Sequence, residues 1–154
     1  MNGFVSFVLV ALVAAAGQPA TGDVTPVYGT TNPAPGQIAK ANVKTYASIV
    51  ELRPEKEQAY RKLHADVWPE VVATIKKANI RNYNIYVVEI GGRKYLFSHL
   101  EYVGDDPAKD FAQIANDPTT RDKWWPATAP CQKRLPGTAD GEQWLGMEML
   151  MHID

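Results

Sequence analysis

Three patterns of apolar and polar positions divide the chain. Residues 4–16 are almost unbroken apolar sequence ending in Ala14-Ala15-Ala16. Residues 17–42 carry Pro19, Pro26, Pro33 and Pro35 among Gly, Thr and Ala, with little periodicity. From Val43 onward, apolar residues recur with the periods of strands and helices. Residues 43–52 form a β-branched and aromatic run that predicts a strand. Pro54 follows where proline fits the first turn of a helix, and the pattern stays helical to about residue 78. Pro69 is expected to bend or break that helix, because it has no N–H to donate. Residues 83–90 and 94–102 predict two strands joined at the turn dipeptide Gly91-Gly92. Asp105-Asp106-Pro107 offers an N-cap and a proline that open a helix to about residue 115. A second helical stretch around 119–125, a loop through Gly141 and a last strand at about 144–152 complete the pattern.

The order strand, helix, strand, strand, helix, strand predicts an α+β fold, the ferredoxin-like split β-α-β arrangement, with one antiparallel sheet and the helices on one face. The opposite face needs cover. A second copy of the chain supplies it, so a homodimer follows from fold logic. The expected units are a secretory signal peptide at 1–16, a Pro/Gly-rich linker at 17–42 and a single domain at 43–154. The apolar run is shorter than the roughly 20 residues a membrane span needs, so no integral membrane span is expected after signal removal. The protein therefore reads as exported, periplasmic or secreted. Because the start of the segment carries no Lys or Arg, the competing reading is a misassigned start codon ahead of a cytoplasmic protein.

Charge narrows the partners. The 154 residues hold 16 basic and 17 acidic side chains without a basic block, which argues against nucleic acid as the main partner. Cys131, the single cysteine, has no intramolecular disulfide partner and reads as a buried small hydrophobe rather than a nucleophile.

The candidate chemistry lies in aromatic residues around one histidine. Tyr60, His64 and Trp68 follow at four-residue steps, which places all three on one face of a helix. An imidazole titrates near neutrality and exchanges protons there. Tyr83 and Tyr86, three residues apart on a strand, point to opposite faces, so only one of them faces the site. In the adjacent pair Trp124-Trp125, indole faces suit the apolar C–H faces of a sugar while the N–H groups bond its hydroxyls. The combination suits a monosaccharide. His99 and His152 lie on strands apart from this group, and no ligand spacing for a metal, glycine-rich phosphate loop or Gly-x-Ser-x-Gly elbow is present.

With those residues in place, the chain resembles the L-rhamnose mutarotase family. Tyr60, His64 and Trp68-Pro69-Glu70 match one family pattern, Asn82-Tyr83-Asn84-Ile85-Tyr86 a second and Trp124-Trp125 a third, in order, over residues 43–152. The resemblance implies a dimeric α/β barrel type of ferredoxin-like fold that interconverts the α and β anomers of L-rhamnose or a related deoxysugar such as L-fucose, with no metal and no organic cofactor. It makes His64 the proton donor and assigns sugar binding to Tyr60, Tyr83, Trp124 and Trp125, with Trp68 and Tyr86 in support. The chain departs from the family in its N-terminal 42 residues and in the segment Pro126-Ala127-Thr128-Ala129-Pro130-Cys131. Two other readings compete: a non-catalytic sugar-binding module, and a small monooxygenase or haem-binding enzyme of the same architecture.

Overall fold

The computed structural model describes Tyr28 and residues 43–153. The segments read as signal peptide and linker lie, Tyr28 aside, outside the described residues. Three long strands form the sheet: β1 (Lys44–Leu52), β2 (Ile80–Ile90) and β3 (Arg93–Tyr102). β3 lies between the other two, antiparallel to both, and two short strands, β4 (Gln132–Lys133) and β5 (Leu145–Gly146), pair with the free edge of β1. The spatial order β2-β3-β1-β4 is that of the ferredoxin-like split unit. Among the described residues no helix is long and apolar enough to cross a membrane.

The expected helix over 54–78 is two helices. A 3-10 turn (Pro54–Lys56) leads into α1 (Glu57–Ala65), and α2 (Pro69–Lys77) starts at the proline. The break falls before Pro69 rather than at it. Trp68 precedes a proline, whose ring disfavours helical backbone in its neighbour, and it sits extended at φ −56° and ψ 134°. α3 (Pro107–Asn116) begins as expected, with the Asp106 carboxylate accepting the Lys109 N–H at 3.1 Å. The stretch around 119–125 becomes a π-helical turn (Thr120–Trp124) that runs into α4 (Trp125–Thr128) and a 3-10 turn (Ala129–Cys131).

The last strand departs most from expectation. Where one strand over 144–152 was expected, β4 and β5 each hold two residues, and a loop with Pro136, Gly137 and Gly141 separates them. Beyond β5 only isolated contacts continue along β1, from the Met147 N–H to the Ala47 carbonyl and from the Thr45 hydroxyl to the Met149 sulfur. Leu150 and Met151, within the expected strand, are exposed, as is Ile153 just beyond it.

Alternation along the strands sorts the sheet faces. Val50, Leu52, Leu96, Leu100 and Tyr102 are buried on the helix side. They form two apolar clusters: one with Ala78, Ile80, Phe111 and Ile114, the other with Tyr60 and Cys131. Between the two clusters lies a row of small residues. Ser48 pairs with Ser98 on one side and Gly146 on the other, and the two serine hydroxyls are hydrogen-bonded at 2.7 Å.

Candidate active site

Helix α1 carries the centre of the site. Its first turn is anchored to the sheet by the Glu57 carboxylate, which accepts hydrogen bonds from Lys94 Nζ of β3 and from Arg61 one turn on. Tyr60 and His64, four residues apart, present their rings on one side and stack at 4.0 Å between centroids with 24° between planes. His64 Nδ1 lies 3.0 Å from the Tyr60 carbonyl oxygen. A carbonyl only accepts, so Nδ1 carries the hydrogen, and in the neutral ring Nε2 is left with the free lone pair. Burial lowers the imidazole pKa below its ordinary value, opposed in part by the Tyr60 carbonyl.

Trp124 closes the cluster from the far end of the domain. Its ring centroid lies 5.2 Å from that of His64 and 5.3 Å from that of Trp68, the latter contact near-perpendicular at 72°. Local sequence sets this position. Asp117 caps the turn by accepting the Thr120 N–H at 2.7 Å, and the Thr128 hydroxyl donates to the Trp124 carbonyl at 3.1 Å. π-helical turns of this kind are frequent at functional sites. Trp68 reaches the cluster by a different route from the one expected. It lies on the connector between α1 and α2, outside the helical face of Tyr60 and His64, and its ring meets Trp124. Trp125, partly buried, turns toward the other apolar cluster, that of Ala78, Ile80 and Phe111.

The two tyrosines of β2 separate as their spacing required. Tyr86 lies beside Phe97, with ring centroids 6.1 Å apart, on the face away from the helices and is 56% exposed, so the sheet stands between it and His64. Tyr83 sits where the β2–β3 register shifts between Arg81 and Asn84, beside Asn82 in the left-handed region at φ 47°. Its phenol acts electrostatically on that of Tyr60, although the residue as a whole is 38% exposed. Burial pushes the Tyr83 phenol up to about 12, and it raises Tyr60 further, with Tyr83 adding to the effect and the Gln132 side chain opposing it. Both phenols therefore stay protonated near neutrality. They can donate and accept hydrogen bonds, but they do not serve as bases.

Cys131 is buried against Val50, Leu52 and Tyr60, with its thiol directed at the Ala127 carbonyl and its pKa raised by burial, which fits a small apolar filler. His99 lies in β3 opposite Ala47 and Asn84, on the face turned away from this cluster.

Four residues near the cluster were not singled out in the sequence. Ser48 and Ser98 could have been noticed as polar residues at inward positions of apolar strands. Trp144 packs against the cluster that contains Tyr60, and the buried Gln132 pairs with Leu52 of the same cluster. Neither carries a local signal, because both are brought in by pairing of the broken edge strand with β1.

This geometry agrees with what the chain is similar to. A family model described as L-rhamnose mutarotase matches residues 45–153, which take in every residue of the cluster and the broken edge strand. The chain belongs to the L-rhamnose mutarotase family. An L-rhamnose mutarotase of Bacillus subtilis is 31% identical over 91 residues, covering 59% of this chain and 82% of that protein. An L-fucose mutarotase of Xanthomonas campestris is 38% identical over 89 residues, covering 55% of this chain and 66% of that protein. The crystal structure of an L-rhamnose mutarotase from Formosa agariphila superposes with a TM-score of 0.54 at 23% identity, covering 72% of this chain and 99% of that one. At that identity the likeness establishes that the chain has the mutarotase fold.

Proposed function

We propose that this chain is a mutarotase for a 6-deoxyhexose, L-rhamnose first and L-fucose as the comparison substrate, with His64 as the group that exchanges protons with the sugar. The observation that carries the proposal is the fixed imidazole. Nδ1 is tied to the Tyr60 carbonyl and Nε2 is left for a ligand, within a wall of Tyr60 and Trp124.

Exchange of anomers requires ring opening, rotation about C1–C2 and closure on the other carbonyl face. In opening, the anomeric hydroxyl loses its proton as C1=O forms, and the ring oxygen gains one as the C1–O5 bond breaks. Both oxygens are bonded to C1, so one imidazole serves both. Neutral Nε2 takes the proton from the anomeric hydroxyl and the imidazolium returns it to the ring oxygen, with no net proton change. This refines the role of His64 as a proton donor: the donor is generated within the turnover. A lowered pKa favours this, because it keeps the resting ring neutral and makes the transient imidazolium a stronger acid. The protonated phenols of Tyr60 and Tyr83 then hold sugar hydroxyls, and Trp124 lies against the C–H face. Trp125 contributes through whatever part of its ring reaches the same opening, and Trp68 supports Trp124.

The test is saturation-transfer NMR of α/β exchange in L-rhamnose and in L-fucose across pH 4–8. Acceleration is expected to rise with pH through a value below about 6.5, then stay level to neutrality, because the resting base is lost only when His64 is protonated. A decline with rising pH over that range would mean that a resting imidazolium is the donor, and no acceleration of either sugar would remove the proposal. Tight sugar binding in titration calorimetry without exchange would favour the binding-module reading instead.

A homodimer belongs to the same proposal. On the sheet face away from the helices, Tyr86, Val88 and Ile90 are exposed, as are Leu150, Met151 and Ile153 near the C-terminus. Light scattering on the purified chain should give twice the monomer mass; a monomer at tens of micromolar would remove this part.

A further inference from the structure

We propose that the groove between the turn at Pro54–Lys56 and strand β4 is a second binding site, for an oxoanion: the sulfate, phosphate or carboxylate group of a small solute. The groove shares no lining residue with the cluster of Tyr60, His64 and Trp124.

The groove is open and about 750 Å³ in volume. Arg53 and Lys56 line it from one segment, Lys133 and Arg134 from another, so the fold assembles a basic cluster that no run of sequence contains. In a chain of net charge −1, four cations on one groove are a local excess. The carboxylates nearby cancel only part of it. Glu55 lines the groove, Glu51 pairs with Lys133 at 3.2 Å, and Glu142 acts on Arg134 from beyond ion-pair distance. Arg53, Lys56 and Arg134 make no ion pair among the described residues. Both arginines are nevertheless held in place. Arg53 Nε donates to the Gln132 carbonyl at 3.2 Å, and its backbone N–H donates to the Cys131 carbonyl at 2.9 Å. One terminal nitrogen of Arg134 donates to the Thr138 carbonyl at 3.1 Å and to the Ala139 carbonyl at 2.8 Å. These anchors are neutral, so each guanidinium keeps its charge and most of its N–H donors. A fixed, planar fork of donors matches two oxygens of a carboxylate, sulfate or phosphate, and anchoring it beforehand lowers the ordering cost of binding.

The experiment titrates the full chain with sodium sulfate, sodium phosphate and sodium glucuronate, each against sodium chloride at constant ionic strength. Backbone amide and arginine Nε–H resonances are followed by NMR. At least one of the three oxoanions is expected to shift, saturably, the Arg53 and Arg134 side chains and the amides of Lys133 and Gln143, which line the groove; chloride is expected not to. Which anions do so tells a tetrahedral group from a planar carboxylate. Arg53→Gln and Arg134→Gln should each raise Kd about tenfold, the loss of a hydrogen bond to a charged group. Lys133→Gln should weaken binding less, because Glu51 already engages that ammonium. Arg81→Gln removes the same charge from a pair with Glu101 outside the groove and should leave Kd unchanged. Thermal melts confirm folding, and Arg134→Gln decides alone if Arg53→Gln does not fold. No saturable shift with any of the three anions, or equal weakening by Arg81→Gln and Arg134→Gln, overturns the proposal. The readout is binding, so it stands whether or not the chain accelerates anomer exchange.

Discussion

Replacing His64 by asparagine is expected to slow α/β exchange by about 10²–10⁴-fold, the usual worth of a positioned acid–base group, while changing sugar affinity by no more than about threefold. Asparagine keeps a side-chain N–H for the Tyr60 carbonyl and sits on the same face of α1, so the walls built by Tyr60 and Trp124 stay in place. It has no group that takes and returns a proton near neutral pH. The loss should therefore fall on kcat and leave KM nearly unchanged, the pattern of an interaction made only along the reaction path. Trp124→Ala should give the opposite split. The indole packs on His64 and Trp68 and has no group that gains or loses a proton near neutral pH, so its removal should mainly raise KM, and by more than Trp125→Ala, whose ring turns toward the other cluster. Saturation-transfer NMR over a range of sugar concentrations separates the two parameters. Exchange in His64→Asn within a few-fold of wild type would remove the imidazole from the chemistry.

Asp110→Ala is expected to lower stability by roughly 2–4 kcal/mol, through the buried donors it would leave without a partner. One oxygen of the Asp110 carboxylate accepts from Asn79 at 2.7 Å and from Tyr102 at 2.8 Å, and the other accepts from Gln113 at 2.9 Å. These bonds tie the turn between α2 and β2, the end of β3 and the first turn of α3 into one unit, and a carboxylate near a helix N-terminus is also favoured by the helix dipole. The bonds from Asn79 and Tyr102 hold the Asp110 pKa below the ordinary carboxylate value despite burial. A carboxylate depressed in the fold contributes stability above its unfolded pKa, about 3.9, and loses it as pH falls through the folded value. The difference between wild type and Asp110→Ala in urea denaturation should therefore be full at pH 7 and shrink toward pH 3. A difference under about 0.5 kcal/mol at pH 7 would mean that the network adds nothing net. The chain closes over this network at Gly104, where a β-carbon would fall 2.6 Å from an Asp110 carboxylate oxygen and against the Tyr102 hydroxyl. The glycine is required there for close approach.

Much of this was legible in the residues. Pro54, Pro69, Asp106 and Gly91-Gly92 mark real boundaries, since capping, proline sterics and turn geometry act within a few residues. The pairing of Tyr60 with His64 follows from helical periodicity alone, and the opposite facing of Tyr83 and Tyr86 from strand periodicity. Trp68 was misplaced for an equally local reason, because the same proline that starts α2 forces its neighbour out of the helix. The broken edge strand was missed because the apolar residues over 144–152 suit a strand, but a strand forms only where a partner edge and a surface to pack on are both available.

The sequence by itself determined the order of the main elements, the boundaries set by prolines, caps and the Gly91-Gly92 turn, and an aromatic set around His64. These depend on backbone sterics and side-chain periodicity, which act over a few residues. The tertiary structure decided which aromatics meet. Trp124 reaches His64 across sixty positions of chain, Tyr83 falls at an irregularity between strands, and Gln132 is placed opposite Leu52 by its register on β1. Each of these depends on which distant surfaces bury one another, a free energy that belongs to the assembled sheet and helices and that no local segment carries.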